Sequence, residues 1–293
     1  MKKNNLLSQI EFFKKKYLSN FSWMMAENII RIVLGVTVSI YVVRYLGPND
    51  YGIYSYAVSI SGILAPIATL GIDAILLRNV IRDKEKEKIL LHTARILKLF
   101  AGILLSLITI VCAYFLLDER KVIICIAILM IGISFNSLNV YKEYIVSVNK
   151  MKLIAFAGIF SVLISNLFRV GLIFIDAKVI WFAFAIFLAQ ITNVLSLRYF
   201  YKKISELQKK FFSIKVAKNL LKDSWPLIFT SFSGILFIYA DQIFIEFFFD
   251  FEKVGIYAAA VQLVLFFNVI PSVLSNMIYP MVIKIHSNNS PDF

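Results

Sequence analysis

Apolar positions along the chain come in long runs rather than at spaced intervals. Nearly uncharged stretches cover roughly residues 21–43, 52–77, 99–117, 122–145, 153–175, 179–197, 226–249 and 254–283. Runs of about 18 or more apolar residues read as bilayer-spanning helices. The pattern predicts an all-α integral membrane protein with about eight transmembrane helices.

The sharpest interruption is RYLGPNDYGIYSY, Arg44 to Tyr56. Gly47 can take the left-handed backbone that closes a helix, and Pro48 suits the first position of the next one. Asn49 and Asp50 then fall in a first turn, where free N–H groups and the positive dipole end favour them. The stretch predicts a tight turn between antiparallel membrane helices. Part of it returns later. Ser22-Trp23 corresponds to Ser224-Trp225, Gly52-Ile53-Tyr54 to Gly255-Ile256-Tyr257, and Ala57-Val58 to Ala260-Val261, at an offset of 202 or 203 residues. Six helices separate the copies, so both hairpins cross in the same direction and imply two lobes related by an axis along the membrane normal. The expected organisation is an N-terminal cytoplasmic or interfacial segment 1–20, a six-helix N-lobe over 21–200 and a basic connection 201–225. The first hairpin of a parallel-repeat C-lobe over 226–285 and a polar tail 286–293 complete it.

Composition agrees with this picture. Sixty per cent hydrophobic residues, 27 Phe and a mean hydropathy of +0.79 are too apolar for a soluble domain of 293 residues. The leading MKKNNLLSQIEFFKKKYLSN has no apolar core of the kind that precedes signal cleavage. Its Phe, Leu and Lys fit either a short interfacial helix or a plain charged leader. A net charge of +13 raises the question of nucleic acid, and the placement of the charge answers it. Of the 31 Lys and Arg, 24 fall at the termini and the connections on their side (counting Lys142, at the end of the fourth span), five fall opposite, and Arg31 and Arg169 lie deep inside spans. Such an asymmetry puts both termini in the cytoplasm and needs no nucleic acid. Cys112 and Cys125 lie in or beside apolar spans and read as small buried hydrophobes. No CxxC, HExxH or Gly-rich phosphate loop occurs, and His92 and His286 are too distant in sequence to mark a metal centre. Neither a metal nor a cofactor is expected.

Several spans carry polar or small residues at helical spacing: Glu27, Arg31, Gly35, Ser39 in the first; Ser55, Ser59, Gly62, Pro66, Thr69, Asp73 in the second; and Ala157, Ser161, Ser165, Arg169 in the fifth. Asn136, Asn139 and Glu143 mark the fourth, Gln190 and Asn193 the sixth, and Thr230, Gly234 and Asp241 the seventh. Small residues alone are equally explained by tight helix packing. A charge near the bilayer centre costs about 2.5–3.5 kcal/mol on the lenient insertion scale and is expected to face protein or water. Glu27 and Arg31 can pair along one helix face, whereas Arg169 has no obvious partner within its own helix. An arginine fork suits a diphosphate. Arg78, at the end of the second span, fits either an entering anionic headgroup or a snorkelling anchor.

The basic N-terminus, YLGPNDYGIYSYA and LGIDAILLRNVIRD (Leu70 to Asp83) together resemble the first hairpin of bacterial polysaccharide-biosynthesis flippases. These include the O-antigen transporters of the multidrug/oligosaccharidyl-lipid/polysaccharide exporter superfamily. The resemblance covers about residues 20–85. It implies a non-enzymatic carrier in the bacterial cytoplasmic (inner) membrane. Such a carrier moves an undecaprenyl-diphosphate-linked oligosaccharide, an O-antigen or capsule repeat unit, outward by alternating access. The implied partners are that lipid-linked oligosaccharide, membrane lipids and other glycan-assembly membrane proteins. Arg31 and Arg78 match cavity or entrance arginines; Arg169, Asn28 and Gln190 join them as substrate-binding candidates by location. Glu27, Asp73 and Asp241 are the ion-coupling candidates. The resembling proteins carry twelve to fourteen helices, so a chain with eight is expected to be shortened, or to complete its cavity by association.

Three other readings stay open. An efflux transporter for small cations would line its cavity with carboxylates and aromatics, and the deepest charges here include two arginines. A membrane glycan polymerase or glycosyltransferase needs a sizeable outer loop, and the outer connections are a few residues long. A non-transporting scaffold would use Arg31 and Arg169 for assembly alone.

Overall fold

A computed structural model describes the backbone over 2–205 and 211–267, and the side chains over 22–136, 138–205 and 211–264. The described elements are all helical: α1 Lys2–Thr69, α2 Ile72–Arg82, α3 Glu87–Leu116, α4 Arg120–Phe135, α5 Val140–Ser147, α6 Met151–Phe174, α7 Val179–Ile204, α8 Ile214–Phe248 and α9 Phe251–Phe267. Short 3-10 turns occupy Lys84–Lys86 and Asn136–Asn139. Among the described residues, six segments are long and apolar enough to cross a membrane. The first, Ser22–Arg82, contains two of the expected spans, and the eighth expected span is α9, described as far as Phe267. The expected tail over 286–293 lies outside the described residues. The described backbone is helical from Lys2 on to Leu46, so residues 2–20 continue into the first span without a break.

Gly47 folds α1 on itself with φ 69° and ψ 174°. The positive φ is the one the sequence demanded, but ψ is extended, a combination open to glycine and costly for other residues. Pro48 restarts the helix at once. The two arms then face each other, with Gly35 and Ser39 across a cavity from Tyr54, Ser55 and Val58.

Two breaks were not legible in the hydrophobic pattern. Leu70 (φ 55°) and Gly71 (φ 58°) separate α1 from α2, although the second span reads as continuous to 77. A leucine in this region costs about 1–2 kcal/mol. The site is crowded: a Cβ on Gly71 would lie 2.9 Å from the Ile228 nitrogen and 3.1 Å from the Ser224 oxygen of α8. The second break is the 3-10 turn at Asn136–Asn139, which splits the fourth span into α4 and the short α5.

Helix α3 shows how the sequence orients a membrane helix. Ala94, Lys98, Gly102, Ser106 and Ala113 form its buried side, while Phe100, Ile103, Leu107, Val111 and Phe115 are exposed. In lipid the large apolar side chains belong outside, and small residues let neighbouring backbones approach. A Cβ on Gly102 would stand 2.9 Å from the Ser134 Cα of α4. Ser106 Oγ donates to the Met130 carbonyl at 2.8 Å, which satisfies a hydroxyl that cannot reach water. Cys125 is buried as expected, but Cys112 is exposed beside this lipid-facing surface.

The bundle has two ends. At the basic end Lys86 Nζ donates to Asp83 Oδ2 at 2.6 Å, and that hydrogen bond holds the Asp83 carboxyl below its ordinary value. At the Gly47 end Lys121 Nζ donates to Asp50 at 3.1 Å, and Tyr45 Oη donates to the Ala177 carbonyl at 3.1 Å. There α9 lies against the second arm of α1, Gly255 beside Gly52.

Candidate functional site

Two polar cavities follow one another along the first arm of α1. The one nearer the basic end, about 400 Å³, is built from Glu27, Asn28 and Arg31 of α1, Asn136 and Asn139 of the 3-10 turn, Lys142 of α5, Ser161 of α6, and Gln190 and Asn193 of α7. Two cations stand against one carboxylate. Glu27 and Arg31 form an ion pair one helical turn apart, and the same guanidinium donates to Asn28 Oδ1 at 3.3 Å. Glu27 is buried because Gly158 leaves it room: a Cβ there would come 2.6 Å from Oε1. Arg31 keeps half its side chain exposed toward the cavity.

The carboxamides are the second feature. Asn193 Nδ2 donates to Ser161 Oγ at 3.4 Å, and Ser161 Oγ donates to the Gly158 carbonyl at 2.8 Å. Asn139 Nδ2 donates to Asn136 Oδ1 at 3.2 Å. Asn139 Oδ1 and Gln190 Oε1 are buried without a hydrogen-bond donor. Such groups carry a desolvation cost until a donor reaches them.

The second cavity, about 270 Å³, lies among α1, α6, α8 and α9 nearer the Gly47 end. Gly35, Ser39, Tyr51, Tyr54, Ser55 and Val58 of α1 line it with Arg169 of α6, Tyr239 and Gln242 of α8, and Gln262 of α9. Arg169 donates to Tyr54 Oη at 3.2 Å, the partner its own helix does not offer, while its Nε is buried and unpaired. Ser59 Oγ donates to Gln242 Oε1 at 2.9 Å, a buried bond between α1 and α8. The stripe Glu27, Arg31, Gly35, Ser39 therefore passes from one cavity into the other.

Of the residues expected at a binding site, Glu27, Asn28, Arg31 and Gln190 converge on the first cavity and Arg169 sits in the second. The other three lie elsewhere. Arg78 pairs with Asp223 of α8 at 2.7 Å on an exposed surface at the basic end. Asp241 accepts a hydrogen bond from Tyr257 Oη at 2.6 Å. Asp73 pairs with Lys98. Sequence reasoning missed Lys142 and Lys98. Lys98 falls one residue before the expected span 99–117 and so reads as part of a connection, yet it is 1% exposed inside the bundle. Its i, i+4 spacing from Ala94 and Gly102 was the available signal. Among the described residues, no cluster of three or more His, Cys, Asp or Glu could hold a metal ion.

A multi-pass helical membrane protein with cationic, amide-lined cavities is the class these features define. The family model described as polysaccharide biosynthesis protein matches residues 17–286, and the chain belongs to that family. No curated protein and no solved structure gives a significant match to the chain.

Proposed function

We propose that the chain carries a lipid-linked oligosaccharide across the cytoplasmic membrane, with the diphosphate held by Arg31 and Lys142 and the adjoining sugar by the surrounding amides. The observation that carries the reading is the lining of the first cavity. Its cations outnumber its carboxylates, and five carboxamides surround them. Planar guanidinium and ammonium donors suit phosphate oxygens, and amides offer donor and acceptor to sugar hydroxyls. The excess of positive charge disfavours cationic drugs, and family membership supports a role in polysaccharide biosynthesis. Arg169, beyond the shared stripe, is a second anion station on the way to the Gly47 end, which faces outward in this reading. The basic end faces the cytoplasm by the positive-inside rule. Other glycan-assembly membrane proteins are the expected neighbours.

Binding decides the matter. The chain is reconstituted in liposomes and titrated with farnesyl diphosphate and with a cationic dye. Diphosphate binding that is lost in R31Q/K142Q supports the proposal; dye binding without diphosphate binding overturns it.

A further inference from the structure

An apolar groove of about 520 Å³ runs between α6 and α7, apart from both polar cavities. Phe156, Ala157 and Phe160 of α6 face Leu195, Ser196 and Phe200 of α7 across it. Its size and lining are those of a small-molecule pocket, about 300–1,000 Å³ and mostly hydrophobic. The helix pair shows a different face to each hollow. Gly158, Ser161, Asn193 and Leu197 line the first polar cavity, and none of them lines the groove. Ala157 of the groove adjoins Gly158, against which Glu27 rests, so the groove lies directly behind the cavity wall. Helix α6 starts and α7 ends at the basic end, and both put the groove at one depth. Phe156 and Phe160 lie five and nine residues after Met151, and Phe200 and Leu195 four and nine before Ile204. That is about 6–14 Å along each helix, in the acyl layer just below the helix ends.

The mouth of the groove is cationic. Lys152, exposed in the first turn of α6, holds its ammonium 5.5 Å from the ring centroid of Phe156, a groove residue, and 4.6 Å from that of Trp23. The two rings are 5.0 Å apart. Aromatic faces hold the ammonium without using a carboxylate, and among the described residues Lys152 enters no ion pair. A tryptophan at this level is a membrane-interface anchor. Lys150, Arg198, Lys202 and Lys203 stand at the same end, and neither α6 nor α7 carries an Asp or Glu. We infer that an anionic diacyl phospholipid docks here, with one acyl chain in the groove and its phosphate against Lys152. Charge decides the occupant. A second copy would bring two acid-free basic faces together, which like-charge repulsion opposes. A zwitterionic lipid would leave the lysines without a net counter-charge, whereas anionic headgroups attract each of them. The proposed diphosphate station lies on the opposite face of α6–α7.

The test is lipid retention by the full chain in detergent, counted by native mass spectrometry with dioleoyl phosphatidylglycerol or dioleoyl phosphatidylcholine added. The wild type is expected to retain phosphatidylglycerol well above phosphatidylcholine. K152Q is expected to lose about fivefold in phosphatidylglycerol affinity, the effect of one basic residue near an anionic lipid, and K152R to keep it. S196F, which plants a ring in the groove, is expected to lose one bound phosphatidylglycerol. Equal retention of the two lipids overturns the proposal, as does phosphatidylglycerol retention unchanged in both K152Q and S196F. A wild type that is dimeric and becomes monomeric in S196F, with no change in bound lipid, assigns the groove to a second copy and also overturns it. If S196F does not fold, the comparison of K152Q with K152R decides by itself.

Discussion

Gly52 and Gly255 are 203 residues apart and lie against each other by a reciprocal contact. A Cβ on Gly52 would overlap the carbonyl oxygen of Phe251, and one on Gly255 would overlap that of Pro48. Pro48 and Phe251 are also 203 apart. When residue i of one copy meets j of the other and j meets i, the two surfaces are related by a two-fold operation. The sequence repeat and the packing thus describe one pseudo-two-fold crossing, and its centre is where two backbones come closest.

That contact makes a prediction about size. G52A or G255A must push apart two backbones, which cannot rotate away as a side chain tip could. Overpacking of this kind costs about 1–3 kcal/mol. Gly35, with nothing within 4 Å of its Cβ position, is the matched control. Thermal unfolding in detergent is expected to fall for G52A and G255A and stay level for G35A. Equal behaviour of all three would mean the helices do not cross at this point.

Lys98, ion-paired to the half-exposed Asp73 and within electrostatic reach of the buried Glu143, predicts strong non-additivity. D73N leaves Lys98 facing Glu143, and E143Q leaves it paired to Asp73, so each single change leaves one cation with one anion. The double variant strands a fully buried ammonium group. Breaking a buried pair in this way costs about 3–5 kcal/mol, well above the sum of two mild singles. Adding K98M to the double variant should recover most of the loss. Additive unfolding energies across the set would show that the three groups do not act together.

The parts legible in the sequence were those set by periodicity and by turn chemistry. Long apolar runs gave the spans, Gly47-Pro48 gave the turn, and the Glu27–Arg31 spacing gave the ion pair that forms. The breaks at Leu70–Gly71 and Asn136–Asn139 were hidden because their causes are tertiary. Gly71 is forced by the approach of the α8 backbone, which no local pattern records. Lys98 was hidden for a different reason: a lysine at the edge of an apolar run reads as a loop residue until α3 is seen to begin at Glu87. Arg31 and Arg169 were expected in one hollow. Eight residues of α6 separate Ser161 in the first cavity from Arg169 in the second, about 12 Å of helix, so two stations result.

The Glu27–Arg31 pair predicts opposite effects on binding and folding. Glu27 is buried and Arg31 half exposed, so R31A strands the carboxylate whereas E27Q leaves an arginine that reaches water. R31A should destabilise more than E27Q. Glu27 also competes with any phosphate for the guanidinium fork. E27Q is therefore expected to bind farnesyl diphosphate roughly 10-fold more tightly, equivalent to about 1.4 kcal/mol. Weaker binding by E27Q in liposome titrations would mean that Glu27 positions Arg31 rather than masking it.

Gln190 should separate stability from binding. Its Oε1 is buried without a donor and rests over Gly132, where any Cβ would collide with it. An unsatisfied buried acceptor costs about 1–3 kcal/mol, so Q190L, which removes it at similar volume, is expected to keep or raise the unfolding temperature. In the proposed reading the same change deletes an amide that would face the sugar next to the diphosphate. Farnesyl diphosphate, which has no sugar, should bind Q190L as well as wild type, whereas a polyprenyl diphosphate bearing one hexose should lose affinity. Equal loss for both probes would place Gln190 at the phosphate, and no loss for either would remove it from the site.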